Sequence, residues 1–162
     1  MHLLLAQKGS IADGGEAVDL GQSPGEVLFL SAADTELAAV AAAAEGWAGP
    51  SLRLASLMSL RHPMSVDTYV DRTLKHAKLV VVRALGGAGY FQYLLEAFHA
   101  AASRSGALIA VLPGDDRPDP ALADYSNVPR ADYAALHSYL IEGGEANARG
   151  FLDYCAAMVA DA

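Results

Sequence analysis

Four short apolar runs, VLFLSAA at 27–33, LRLASL at 52–57, KLVVVRAL at 78–85 and ALIAVLP at 107–113, are separated by stretches whose apolar residues recur at helical spacing. Each run is rich in Val, Leu and Ile and is continuous rather than alternating, the pattern of a strand covered on both faces. Few folds accept such an order. Neighbouring parallel strands need a crossover, crossovers are right-handed, and the crossing helices must cover both faces of the sheet. A further run, HLLLA at 2–6, reads as a first strand. The glycine-rich QKGSIADGGEAVDLGQSPGE that follows has no helical period and reads as an exposed loop or a short hairpin.

The helices are marked by their caps and faces. Asp34 is placed to cap DTELAAVAAAAEGW, which stops near Gly46. Ser65 is placed to cap SVDTYVDRTLKHA, with Asp67 in its first turn and Lys75 and His76 near its end, where those charges complement the helix dipole. Val66, Tyr69, Val70, Leu74 and Ala77 make one apolar face there. YFQYLLEAFHAAASRSG turns Leu94, Leu95, Phe98, Ala101 and Ala102 inward and stops at Gly106. Two more helices, ADYAALHSYLIE and EANARGFLDYCAAMVAD, follow a proline- and aspartate-rich connection and are separated by Gly143 and Gly144. The expected fold is a single α/β domain over residues 1–162. It has an open, mostly parallel sheet with helices on both faces, of flavodoxin-like or Rossmann-like three-layer form, plus two C-terminal helices.

Composition narrows the function. With 53% hydrophobic and 19% charged residues the chain suits a filled core rather than disorder. A net charge of −8 speaks against nucleic-acid binding. No apolar run approaches the ~20 residues that span a bilayer. MHLLLAQKG is too short for a secretory signal and lacks a basic lead, so a cytoplasmic protein is expected. Cys155 is the single cysteine, which excludes an internal disulfide framework; it falls on the apolar face of its helix and reads as core filler. Charge is uneven, however. Residues 53–83 hold Arg53, Arg61, Arg72, Lys75, Lys78 and Arg83 against only Asp67 and Asp71, a segment suited either to an anionic partner or to solvated element ends.

The turn RALGGAGYF carries Gly86, Gly87 and Gly89 between a strand and a helix. A dinucleotide fingerprint counted from Gly87 fails at Gln92, and no G-x-x-x-x-G-K-[ST] occurs. The loop is thus either a tight turn or a place where backbone N–H groups meet an anion. Ligands of open α/β sheets sit at strand C-terminal ends. Those ends would gather Ser31 and Asp34, Arg61 and His62 of LRHPMS, Arg83 with the glycines, and Asp115 with Asp116, a mixed rim suited to a polar or carboxylated small molecule. His2, His62, His76, His99 and His137 show no metal-ligand spacing, and no G-x-S-x-G elbow is present. No catalytic residue and no metal ligand is assigned.

Several segments resemble one family together and in order. MHLLLAQKGSIADGGEAVDLGQSPGEVLFLSAADTELA, then SLRLASLMSLRHPMSVDTYVDRTLKHAKLVVVRALGGAGYFQYLLEAF, then VLPGDDRPDP and YLIEGGEANARGFLDY, are similar to the N-terminal part of the large subunit of cobaltochelatase, the CobN family. The last pattern, Gly143, Gly144 and Asn147 as GG-x-x-N, also looks like the large subunit of magnesium chelatase. The resemblance implies a ligase reaction, ATP-dependent insertion of Co²⁺ into the tetrapyrrole hydrogenobyrinic acid a,c-diamide in aerobic cobalamin biosynthesis. It implies ATP and Mg²⁺ at AAA+ type ATPase partner subunits, and no cofactor on this piece. Family members are several times longer, so the metal-inserting body is expected outside these residues, and this piece is expected to serve substrate access or subunit docking without catalysis. Expected contacts to substrate or partner are Arg61, His62, Arg83, Gly86, Gly87, Gly89 and Asp34; Gly143, Gly144 and Asn147 are expected to be structural. The alternative is an independent flavodoxin-like module that binds a small molecule or regulates.

Overall fold

A computed structural model describes residues 17–162 and the backbone of residues 3–6. Five strands, β1 (Leu3–Ala6), β2 (Val27–Ser31), β3 (Leu52–Ser56), β4 (Leu79–Ala84) and β5 (Leu108–Pro113), form one sheet in the order β1–β3–β2–β4–β5. Every pairing is parallel. The helices are α1 (Asp34–Ala43), α2 (Pro63–Arg72), α3 (Gln92–Ser105), the single turn α4 (Pro120–Ala123), α5 (Arg130–Glu142) and α6 (Gly144–Asp161).

Side-chain alternation along each strand divides the core in two. Leu28, Leu30, Val80, Val82, Ile109 and Val111 face Tyr69 of α2 and Leu94, Leu95 and Phe98 of α3. Val27, Phe29, Leu54, Val81, Ala110 and Leu112 face Leu37 and Val40 of α1, Leu136 of α5, and Phe151, Leu152 and Cys155 of α6. This is the expected three-layer arrangement, and both faces of each inner strand are dry, which is why its apolar run has no polar alternation. Burial pushes the Cys155 thiol well above its ordinary range, in keeping with core filler.

Two caps differ from expectation. The residue before α1 is Ala33, and Asp34 lies exposed as the first helical residue with no capping bond from its side chain; Ser31 Oγ accepts the Ala33 N–H instead, at 3.1 Å. α2 starts two residues before Ser65, because Pro63 is pre-set for a first helical turn and His62 Nδ1 accepts the Met64 N–H at 3.1 Å. Ser65 is buried and its Oγ accepts the Val18 N–H at 2.7 Å. Local sequence offers both serine and histidine as caps, and tertiary packing decides. The glycine-rich connection before β2 lies in part outside the described residues. Its remainder crosses β3 on the α2 side, where Gln22 Nε2 donates to the Leu54 carbonyl at 2.9 Å and the Gln22 carbonyl accepts from Thr73 Oγ1 at 2.6 Å.

β5 is an edge strand, and an uncovered edge invites pairing with another chain. The proline- and aspartate-rich connection after β5 folds back over this edge. Asn127 Oδ1 accepts the Ile109 N–H at 2.8 Å, Asn127 N donates back to the Ile109 carbonyl at 2.9 Å, and Ser126 Oγ accepts the Val111 N–H at 2.8 Å. Asn127→Ala leaves the Ile109 N–H without its acceptor, so a loss of about 1–3 kcal/mol is expected in urea unfolding, with increased aggregation at high concentration. Unchanged stability would mean that water or another group takes over the edge.

Candidate functional site

From β2 the chain passes through α1 to β3 on one side, and from β4 through α3 to β5 on the other. The C-terminal ends of β2 and β4 are therefore the topological switch point, where open α/β sheets hold their ligands. In this chain that position is filled from within. Arg83 stands opposite Ser31 in the β2–β4 register and points to the face covered by α1 and α5. Its Nη1 lies 2.7 Å from Glu36 Oε2, Nε donates to the Pro113 carbonyl at 2.6 Å, and Nη2 donates to the Gly114 carbonyl at 3.2 Å. Ser31 Oγ donates to the other oxygen of Glu36 at 2.9 Å. The two charged side chains are 9% and 17% exposed, so the pair is a plug tying α1 to the ends of β4 and β5. Burial holds the Glu36 carboxyl above its ordinary range despite the opposing pull of Arg83, Ser31 and His137. His137 of α5 completes this side, with Nε2 at 2.8 Å from the Asp115 carbonyl.

The glycine loop is a turn. Gly86 and Gly87 have φ of 100° and 85°, which side-chain-bearing residues rarely adopt, whereas Gly89 has an ordinary φ and open space around it. A cleft of about 400 Å³ lies between this loop and the β5 connection, lined by Gly86, Gly87, Asp115, Arg117 and Asp119 among others. A Cβ built on Gly87 would stand 3.7 Å from Asp119 Oδ2, so a carboxylate already faces the loop. That side chain caps α4 through the Ala121 N–H at 3.1 Å. An anion seated on the glycines would meet like charge.

The basic segment is neutralised by the acidic part of the chain before it. Arg72 pairs with Asp19 at 3.3 Å, Lys78 with Glu26 at 3.4 Å and Arg83 with Glu36, while Lys75 pairs with Asp71 at 2.9 Å. Arg53 is buried and donates to the Ser23 and Leu52 carbonyls. Arg61 is the cation of the segment that stays at the rim. It is exposed, and its guanidinium carbon stands 5.4 Å from the centre of the Tyr90 ring. His62, half-buried, is used as the α2 cap. The expected contacts thus separate: Arg61, His62, Gly86, Gly87 and Gly89 lie at the strand-end rim, Asp34 lies exposed at the start of α1, and Arg83 is enclosed. Gly143 and Gly144, with φ of 69° and 84°, reverse the chain between α5 and α6, and Asn147 Nδ2 donates to the Gly143 carbonyl at 2.8 Å.

Sequence reasoning missed the apolar part of the rim. Met64, Leu85, Tyr90 and Tyr93 are exposed there, and Tyr93 Oη donates to Asp67 Oδ1 of α2 at 2.7 Å. The helical period carries a signal for Tyr93, which falls off the inward face marked by Leu94, Leu95 and Phe98. It carries none for Tyr90, which stands four residues before Leu94 and lies in a short 3₁₀ turn ahead of α3. Among the described residues no three His, Cys, Asp or Glu side chains gather as metal ligands, and no helix is long and apolar enough to cross a membrane.

These features define a doubly wound parallel α/β domain whose switch-point crevice is closed by its own ion pair. No family model matches the chain. It is 65% identical over 163 aligned residues, its whole length, to an aerobic cobaltochelatase subunit CobN of a Sinorhizobium species. It is 41% identical, over 93% of its length, to the subunit of the same name from Pseudomonas aeruginosa. It spans only 13% and 12% of those two relatives. Among solved structures it is similar to the catalytic subunit of cobaltochelatase from Mycobacterium tuberculosis, with a TM-score of 0.64 and 26% identity over 84% of this chain and 10% of that one. The chain is thus a homologue of one segment of the CobN cobaltochelatase subunits, the family that its sequence segments resemble.

Proposed function

We propose that the chain acts as the N-terminal domain of a cobaltochelatase large subunit, the enzyme that inserts Co²⁺ into hydrogenobyrinic acid a,c-diamide with ATP hydrolysed at AAA+ partner subunits. Within it, this domain serves docking and does no chemistry. The observation that carries the reading is the whole-length identity of 65% to a CobN subunit, of which the chain spans 13%. The enclosed Arg83–Glu36 pair supports docking over substrate binding, because it occupies the position where a small ligand would lie. The same observation disfavours an independent small-molecule module.

The test is an exchange. The Sinorhizobium subunit, with its matching segment replaced by these 162 residues, is assembled with its partner subunits and assayed for cobalt insertion. A rate within a few-fold of the parent is expected. A soluble, assembled chimera without activity would sink the reading.

A further inference from the structure

Five large apolar side chains are more than a third exposed among the described residues, and four of them, Met64 at 63%, Leu85 at 56%, Tyr90 at 54% and Tyr93 at 48%, belong to one rim. They adjoin one another. Met64 precedes Asp67 by one turn of α2, Asp67 holds Tyr93, Tyr93 follows Tyr90 by three residues, and Arg61 lies over the Tyr90 ring. Leu85 leads into Gly86, where an added Cβ would stand 3.7 Å from the Tyr90 Cβ. Isolated surface apolar residues are ordinary, but a contiguous group of Tyr, Met, Leu and Arg with few other charges has the composition of an interface centre. The fifth exposed residue, Ile141, is on α5 and 38% exposed, without such neighbours among the exposed apolar residues.

We infer that the strip Arg61, Met64, Leu85, Tyr90 and Tyr93 is the surface by which this domain packs against the remainder of its own large subunit. This rests on the reading above. The occupant is argued from length. The CobN relative at 65% identity has 87% of its length (100% less the 13% matched) outside this segment, so a domain of this size has a far larger body of the same chain beside it. Contacts between domains of one chain commonly cover 600–1,500 Å², in reach of a strip of this kind. Charge agrees with it: the basic segment is paired internally, so Arg61 is left as an edge contact and the apolar side chains carry the surface.

Hydroxyl-radical footprinting read by mass spectrometry tests this on the intact chimeric subunit and on the 162-residue chain. Oxidation of Met64, Tyr90 and Tyr93 is expected to fall at least five-fold in the subunit alone, with Ile141 changing less than two-fold. Leu85→Asp with Tyr90→Asp in the subunit is expected to return Met64 and Tyr93 to their level in the short chain. Equal oxidation in both proteins would overturn the inference. So would protection that appears only after adding the ATPase subunits, which would make them the occupant, or only after adding the corrin precursor, which would make the strip a substrate surface. The reading above fails separately, through an assembled chimera that does not insert cobalt.

Discussion

Replacing Arg83 by methionine is expected to destabilise the chain by about 3–5 kcal/mol, the cost of leaving one member of a buried ion pair alone. Glu36 would keep its hydrogen bond from Ser31 but lose its cation, and the Pro113 and Gly114 carbonyls would lose their donor. The m-value should hold, since the same surface is exposed on unfolding. The pH dependence carries a sign. Burial already raises the Glu36 pKa above its ordinary 4.5. The folded chain therefore binds that proton more tightly than the unfolded chain does. The stability due to this group is complete below 4.5 and is lost as pH rises through the folded value. Removing Arg83 raises the folded value further and widens that window. Glu36→Gln removes the dependence, so the difference between wild type and E36Q should shift against wild type as pH climbs from acid toward neutral. Urea midpoints of the three proteins across this range check it. A loss below about 1 kcal/mol for R83M would mean that the plug does not hold the strand ends.

Phe151→Ala is expected to cost about 3–5 kcal/mol. Phe151 and Phe29 are both fully buried, with ring centres 5.1 Å apart, and they join α6 to the central strand β2. Neighbouring packing leaves little chance of collapse. Leu37, Val40 and Trp47 are held from the α1 side, where Trp47 Nε1 donates to Asp153 Oδ1 at 3.0 Å and Arg149 Nη1 donates to the Ala43 carbonyl at 3.3 Å. Phe151→Leu keeps more of the volume and should cost much less. Urea unfolding followed by Trp47 fluorescence compares the two. Equal losses would show that α6 packs through shape-tolerant contacts instead of this ring pair.

The sheet was legible in the sequence to within one or two residues because its strands are buried on both faces, and continuous apolar runs say so directly. Helix faces were equally legible: Leu94, Leu95, Phe98, Ala101 and Ala102 are all buried, and Gly106 ends α3 in the left-handed region. What could not be read was pairing at long range. A charge at Arg83 inside a buried strand had to have a partner, but nothing local indicates Glu36, 47 residues earlier. The basic segment looked like a surface because Asp19, Glu26 and Glu36, which neutralise Arg72, Lys78 and Arg83, lie far away along the chain. Caps failed for a related reason. Ser65 has good capping chemistry, yet it is taken by the Val18 N–H and His62 acts in its place. That the strand ends form a rim follows from the parallel order of the sheet, whereas the exposure of Tyr90 on it has no local signal.

Titrating the chain with hydrogenobyrinic acid a,c-diamide, followed by corrinoid absorbance, is the most direct measurement. Trp47 is a poor reporter for it, being buried beyond the far end of α1. With Arg83 enclosed and the crevice closed, no saturable binding is expected up to high micromolar concentration. Saturable micromolar binding, lost in Arg61→Ala, would contradict docking as the role of this domain and make the strand-end rim part of the substrate site.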